Sequence, residues 1–566
     1  MIKMNQIGFT KGKRTSDHIF VLNYLIKLNK RENKPLYACF VDLRKCFDTL
    51  WRDGIFYKML KNGLSTKFVQ IIMNLYSRTK SRVKLKDGLT EYFSTLVGTR
   101  QGCNLSPSLF NIYINDLFND LSDPKCDPLS IGDTLINVFA FADDLVLLSN
   151  SPKGLQHCLD LFGQYCTKWK LVINMTKTKI LVFNTRRSGH SFYIYNQIIP
   201  ETNKYTYLGI DFKKDGSLSL AMKVLNSKAL KAKFAIKQGF QNANVKILLK
   251  LFDSLVKPIS IYGSEIWALD AINWQKDIDK LMFQDSLPFE QLQNRFCKAI
   301  LKVNSKCPNV SAKGELGRYP IIISIFVSMI KYWVHARQSD KNSLIYKATS
   351  CDLQNKVINY KTLIDKILGK NLDFDKLPVK TVNREVKQVK KQLQETYVRE
   401  FFKVINCNDG FPSKFREYRK VKKVYNMENY LKLNEVNRNF ISKIRLSCHH
   451  FPIEIGRWKK IDKTKRFCFY CNTTDIGDEC HVLFHCTSQQ LVAERHIFVN
   501  KLKEKNDQFC KLDNDFLYLY TLLGHDKSIT KISGDYFRKI CDIAYIKYKN
   551  MSTLEMSSWV HKCKPT

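Results

Sequence analysis

The sequence predicts an α/β unit followed by a long, mainly α-helical region. Three observations carry this. Strand and helix signals alternate up to about Phe212, as in a single α/β unit. From about Ser217 to about Cys448 helical periodicity takes over. The chain is also strongly basic, with 92 Lys+Arg against 52 Asp+Glu, a formal net charge of +40. That balance points to a polyanionic partner, nucleic acid first. At 566 residues there is room for about three or four domains of roughly 150 residues. A membrane surface is the rival partner. However, no apolar run reaches the roughly 18 residues a spanning helix needs, and the first residues lack the apolar core of a signal peptide. Most of the 18 cysteines are scattered singly, as expected of reduced thiols inside a cell.

The elements follow in order. A basic loop, Lys11 to Arg14, leads into an amphipathic helix with Ile19, Leu22 and Ile26 on one side, capped by Ser16 or Asp17. Pro35 closes this segment. Leu36 to Val41 reads as a buried strand ending at Asp42. Helical pattern runs from about Gly54 to Met59 and from Thr66 to Tyr76. Arg82–Leu85 and Tyr92–Val97 read as a strand pair around Lys86-Asp87-Gly88. Gly98 and Gly102 bracket a loop whose backbone can approach a ligand closely. Ser106-Pro107 then starts a helix with an apolar stripe of Leu109, Ile112, Tyr113 and Leu117. Asn137 to Asn150, NVFAFADDLVLLSN, reads as a hairpin whose break carries Asp143 and Asp144. An amphipathic helix from Pro152 to Lys170, a strand ending at Phe183 and a short strand pair around Gly209 complete the unit. Further on, the stretch from Tyr319 is a buried helix. Val382 to Val404 is a charged one, with Val382, Val386, Val389, Leu393, Tyr397 and Phe401 in register and its lysines solvated.

Three pieces call for one explanation: a strand-end Asp42, a hairpin Asp143-Asp144 and a Gly-flanked loop between them. Each alone reads as a turn or cap, since Asp favours both. Together, at the end of one strand and the turn of a neighbouring hairpin, they can share hard cations. Two adjacent carboxylates repel unless a cation sits between them, and Mg2+ takes one or two carboxylates plus substrate phosphates. Two such ions about 3.5–4 Å apart activate a hydroxyl and stabilise a leaving pyrophosphate. Phosphoryl transfer of this kind relies on positioning and charge neutralisation.

FVDLRKCFD, GTRQGCNLSPSLFNIYIND, FADD, NMTKT (Asn174 to Thr178) and YLGI, in this order and spacing, resemble the palm motifs of the reverse transcriptases of non-LTR (LINE-type) retrotransposons. QIGFTKGKRTSDHIF resembles the segment before that palm, and SLVKPISIYGSEIW the thumb. The resemblance implies the α/β palm of a right-hand polymerase, with a ferredoxin-like antiparallel sheet core, then a mostly helical thumb and a C-terminal region with a small zinc knuckle. The implied segments are remnant fingers at 1–35, palm at 36–212, thumb at 217–340, helical linker at 341–447, knuckle region at 448–490 and a helical end at 491–566. The implied activity is RNA-directed DNA synthesis, with an RNA template, a DNA primer or target, dNTPs and two Mg2+ ions. Asp42 would bind both metals, with the Leu43 carbonyl near, Asp143 would be the second principal ligand and Asp144 its weaker partner. Phe47 would gate against a ribose 2′-OH, and Asp48 would be structural. Gln101 would touch the incoming nucleotide or the template base. Lys177 is either the acid that protonates pyrophosphate or a solvated lysine. Tyr207, Leu208 and Gly209 would grip the primer end.

The resemblance also implies basic fingers residues that clamp the triphosphate upstream of QIGF. Few residues precede that motif here, so the chain reads as N-terminally truncated, with Lys11, Lys13 and Arg14 as partial substitutes. It is expected to bind template and primer and to extend poorly. The alternative reading is a nucleic-acid-binding fragment or degenerate copy with little or no polymerase activity. The expected location is intracellular, in nucleus or cytoplasm as a ribonucleoprotein.

Cys468 and Cys471 form a C-x2-C pair, followed by His481, His485 and Cys486. Paired ligands of this kind suit one structural, tetrahedral Zn2+. The spacing fits His481 with His485 as well as with Cys486. The resemblance favours Cys468, Cys471, His481 and Cys486, with His485 as the alternative and Cys480 outside the set. The basic run Gly456 to Arg466 suits phosphate contacts beside it.

Overall fold

Leu36–Asp42 (β1) is apolar along nearly its whole length, and a strand with no polar face must be covered on both sides. In the computed structural model it lies in a four-stranded antiparallel sheet with Val138–Phe141 (β2), Asp144–Ser149 (β3) and Lys179–Phe183 (β4). The order is β4-β1-β3-β2, that of a ferredoxin-like antiparallel sheet, the core that the resemblance implies. Alternation along β1 sends Tyr37, Cys39 and Val41 into a core shared with Tyr113 and Phe162. Phe40 faces the other way and stacks on Tyr205 at 4.4 Å between ring centroids. The structure describes residues 3–185, 189–240, 243–370, 378–407, 415–471, 473–506, 513–524 and 526–563.

The helices around the sheet are Thr15–Arg31 (α1), Arg52–Lys61 (α2), Ser106–Ile114 (α3) and Pro152–Lys168 (α4). Ser151 caps α4, accepting from the Gly154 N–H. The α1 helix differs from its expected one-sided amphipathicity, because Ser16 to Ile26 are all buried. Its second face is covered by elements distant in sequence. Phe20 packs on Tyr332 and Tyr360, and Ser16 and Lys27 bond to Glu265 and Asp270. The expected strand pair around Lys86-Asp87-Gly88 is also shorter than its sequence suggests. Lys84–Leu85 pairs with Gly88–Leu89, and Lys80–Ser81 with Phe93–Ser94. These segments are largely exposed on both faces, so no core face holds a longer register.

The described chain divides into two compact units that interleave in sequence. One comprises Met1–Val224, Gly263–Gln275 and Ile325–Val386, the other Leu225–Tyr262, Lys276–Ser324 and Lys387–Thr566. Segments 263–275 and 325–386 join the first unit, where they cover α1. The second unit is helical. The helix Val379–Asn406 (α5) carries its expected stripe, with Val382, Val386, Val389, Leu393, Tyr397 and Phe401 buried and Lys387, Lys390 and Lys391 exposed. Among the described residues no helix is long and apolar enough to cross a membrane.

Candidate active site

The hairpin between β2 and β3 turns at Ala142 and Asp143, with Ala142 at φ 55°. A left-handed residue with a Cβ needs support, and the N-terminal segment provides it. The buried Gln6 side chain accepts from the Ala142 N–H at 3.1 Å and from the Gly8 N–H at 2.9 Å. Ile7 N–H donates to the Ala140 carbonyl, and Asn111 donates to that of Gly8. A Cβ on Gly8 would lie 2.2 Å from the Ala142 nitrogen, so the close approach requires glycine. Gln6 was not singled out in the sequence as a functional residue; its signal was its place in QIGF.

Asp42 and Asp144 face each other directly in the β1–β3 ladder, with Asp143 one residue away at the turn. Directly opposed residues share a face of the sheet. Asp42 is half-buried and held by its neighbours. Asn174 Nδ2 donates to its Oδ2 at 2.8 Å, and Lys177 Nζ lies 3.5 Å from its Oδ1. Asn174 also donates its backbone N–H to the Asp42 carbonyl. It joins the site from NMTKT, where the type of residue alone did not mark it. Leu43 is buried and bridged to Ile173. Asp143 interacts with the Cys46 thiol, whose pKa is raised first by burial and then by that carboxylate. Desolvation by the surrounding protein pushes Asp144 up to about 6, and the Asp143 and Asp42 charges push the same way. The three carboxylates do not draw ligand oxygens within 4.8 Å of one another. Uncompensated anions in one cleft repel, and Asp42 leans on Asn174 and Lys177 and Asp143 on Cys46. This surplus of negative charge at the ends of the two central strands suits a hard divalent cation.

A cavity of about 620 Å³ is lined by Phe9, Phe47, Arg100, Gln101, Gly102 and Asn104, among others. Phe47 packs on Phe110 at 4.8 Å and leaves one side to the cavity. Gln101 donates to Asp48 at 2.8 Å, so Asp48 anchors the loop. Of the two loop glycines, Gly102 lines the cavity with open space at its Cβ position, whereas a Cβ on Gly98 would sit 2.3 Å from the Asp48 carbonyl oxygen. Gly98 therefore serves packing, and Gly102 alone offers close backbone approach. Lys11, Lys13 and Arg14 do not reach this cavity. They line a separate one of about 630 Å³ with Lys331, His335 and Asn383. The basic residue in the first cavity is Arg100, the neighbour of Gln101 that sequence reasoning passed over.

Lys204–Tyr207 (β5) and Ile210–Lys213 (β6) form a hairpin with Leu208 at φ 46° and Gly209 at φ 82°. Two positive φ angles make a tight turn matched to the strand twist. The Tyr207 ring turns inward, 5.6 Å from Phe40 and with its hydroxyl 3.4 Å from His18 Nδ1. Only Leu208 and Gly209 stand at the tip. Of the three residues expected to grip the primer end, Tyr207 is thus the buried one, packed on Phe40 and His18 behind the hairpin.

In the second unit, Cys468, Cys471, His481 and Cys486 bring one ligand atom each to within 4.8 Å of the others. Cys468 and Cys486 sulfurs are 3.8 Å apart, and Cys471 Sγ is 3.4 Å from His481 Nε2. Tetrahedral zinc with Zn–S near 2.3 Å and Zn–N near 2.0 Å requires separations of about 3.8 and 3.5 Å. His485 and Cys480 stand apart from this set, both within 3.0 Å of Asp515. The basic run upstream splits by residue type. Arg466 is buried and donates to the Ile461 and Ile453 carbonyls, and Arg457 pairs with Glu454, while Lys459, Lys460 and Lys463 stay exposed.

Residues 1–212 match the family described as reverse transcriptase (RNA-dependent DNA polymerase). The chain is 28% identical over 221 residues to the Pol polyprotein of the type-2 retrotransposable element R2DM of Drosophila melanogaster, covering 37% of this chain and 21% of that protein. It is 27% identical over 280 residues to the RNA-directed DNA polymerase from the mobile element jockey of Drosophila funebris, covering 47% and 30%. To the type-1 element R2 Pol polyprotein of Nasonia vitripennis it is 25% identical over 239 residues, covering 40% and 23%. The chain thus spans less than a third of the length of these curated relatives. A telomerase from Candida tropicalis in complex with a fragment of telomeric RNA aligns with a TM-score of 0.30 and 16% identity, over 68% of this chain and 53% of that one. With Asp42 and Asp144 opposed at the ends of its two central strands and its motifs in order, the segment 1–212 is the part of the chain that matches the reverse transcriptases, and the similar proteins are those of non-LTR retrotransposons.

Proposed function

We propose that this chain is an RNA-directed DNA polymerase that adds dNTPs to a DNA 3′-OH on an RNA template. The observation that carries the reading is the register of Asp42 opposite Asp144, with Asp143 at the adjoining turn. Asp42 and Asp143 would hold Mg2+, with Asp144 as the weaker partner, and the bound ions would neutralise phosphate charge and lower the barrier to attack. The protein does the rest by positioning. Phe47 bounds the sugar side of the nucleotide cavity, with Arg100, Gln101 and the Gly102 backbone lining its polar part. Lys177, already near Asp42, is placed to give a proton to the departing pyrophosphate. The Leu208-Gly209 tip supports the primer end. The region after the palm would act as thumb and linker, with the chain working inside the cell as a ribonucleoprotein.

Primer extension on a homopolymer RNA template tests this. Asp143→Asn should reduce incorporation by at least about a thousandfold, because two-metal charge stabilisation supplies several kcal/mol of the barrier reduction, while template binding persists. Extension by Asp143→Asn at the parent rate would refute the assignment. We also propose that Cys468, Cys471, His481 and Cys486 hold a structural zinc ion, supported by their separations. Cys468→Ser should lose that ion and destabilise the second unit; retention of the full zinc content would refute it.

A further inference from the structure

The backbone from His481 to His485 is wound wider than an α-helix, and the Cys486 N–H donates to the His481 carbonyl at 2.7 Å, five residues back. Such widened turns are uncommon and concentrate at functional sites. Their consequence here is geometric. An α-helix splays residues i and i+5 apart, but this turn brings them together. Because two such pairs are consecutive, it presents two donor sets on two sides. His481 and Cys486 face Cys468 and Cys471. Cys480 and His485 face Asp515, and these three also bring one ligand atom each to within 4.8 Å of the others.

We propose that Cys480, His485 and Asp515 form a second metal site, for a divalent ion of the zinc class, back to back with the four-ligand one. Asp515 Oδ1 is the point on which the set converges, hydrogen-bonded at 3.0 Å to Cys480 Sγ and at 3.0 Å to His485 Nε2, separations that would open by about 0.3–0.5 Å around a tetrahedral ion. It is held there without help from an ion. Asp515 lies in the first turn of the helix Asn514–Leu523 (α6), which is capped by Asp513. Asn514 Nδ2 donates to the Phe484 carbonyl at 3.1 Å, and the Phe484 and Tyr518 rings meet at 5.9 Å. The turn and α6 are therefore docked by packing, and the donor set rests on rigid elements. One thiolate, one imidazole and one carboxylate neutralise a divalent ion, apart from the imidazole, which adds no charge. A sulfur donor selects zinc-class ions over Mg2+ or Ca2+, which take oxygen. The two sites differ in kind. The four-ligand set is mostly buried, whereas His485 and Asp515 are exposed, so three protein ligands leave a fourth position to solvent. Closed sets are structural and open ones exchange. The second ion is therefore the labile one, and it pins α6 to the turn that carries the first.

The inference shares the turn with the four-ligand zinc reading, and the two fail separately. The full chain is saturated with Zn2+, freed of excess by gel filtration and assayed for zinc per chain. The parent should hold two ions. Cys480→Ser and Asp515→Ala should each hold one, and that ion should resist a chelator dose that strips one of the two from the parent. Zinc content equal to the parent's in either variant overturns the second site and leaves the first untouched. Loss of both ions in Cys480→Ser also overturns it, since Cys480 would then belong to a single centre. A parent and a Cys468→Ser variant with equal zinc would instead remove the four-ligand reading, leaving the difference made by Cys480→Ser to decide the second site.

Discussion

Single residues in this protein are read by what surrounds them. Lys58 looks like any surface lysine of an amphipathic helix, yet its side chain is 1% exposed. Its ammonium lies 2.6 Å from Asp116 Oδ1, 2.8 Å from the Tyr165 hydroxyl and 3.5 Å from the Trp169 ring centroid. Burial pulls its pKa down to about 8, and Asp116 offsets part of that fall. The folded chain thus releases this proton near pH 8, the unfolded chain near the ordinary lysine value. Between the two the unfolded state holds more protons, so the stability attributable to Lys58 rises with pH through that window. Replacement by the similarly sized Met removes the titration. The melting temperature of the parent relative to Lys58→Met should therefore increase between about pH 7.5 and about pH 9.5. A constant difference across that range would show that the group does not titrate there.

Elements in the first unit are held in place by contacts that only glycine or one polar side chain allows. The FADD hairpin is the clearest case. Its register with β1 sets which carboxylates face each other, but its turn is braced by Gln6 and by the glycine backbone at residue 8. In Gly8→Ala the new methyl meets the Ala142 nitrogen and must displace the turn that carries Asp143. A shift of about 1 Å at a reacting centre costs roughly a hundredfold in rate. Gly8→Ala should therefore lose about that much extension activity while keeping its helical circular dichroism. An unchanged rate would show that the N-terminal brace does not position the carboxylates. The Leu208-Gly209 tip obeys the same logic: the strands are legible as an alternating pattern, but which residue of Tyr207-Leu208-Gly209 stays at the surface depends on what lies behind the hairpin.

At the scale of the whole molecule, charge is the dominant property. A surplus of 40 positive charges over a chain whose palm holds a cluster of acids means that binding and chemistry draw on opposite electrostatics. On the proposed function, lysines spread over the surface would attract the phosphate backbone, and the carboxylates would take up cations. Neutralising six or more phosphates makes affinity fall at least about a hundredfold between about 50 and 200 mM salt. RNA binding by this chain should show that slope, and Asp143→Asn should leave it unchanged. A shallow slope would mean that the charge is not used for nucleic acid.

The buried strand ending at Asp42, the hairpin of two aspartates, the buried helix from Tyr319 and the stripe of Val382 to Phe401 were legible in the sequence, because each depends on periodicity within one element or one hairpin. The pair Cys468 and Cys471 was legible from spacing, which left His481, His485 and Cys486 open as its partners. Other features were decided by residues far apart in the chain. They include burial of α1 on all sides, the interleaving of the two units, and the inward turn of Tyr207. They also include the parting of Lys11, Lys13 and Arg14 from the cavity of Arg100 and Gln101. Asn174 on Asp42, Gln6 under Ala142 and Asp515 beside Cys480 belong with them. Local pattern reports which face of an element is apolar. It does not report which distant element covers that face, and that choice is made only when the whole chain competes to bury its apolar surface.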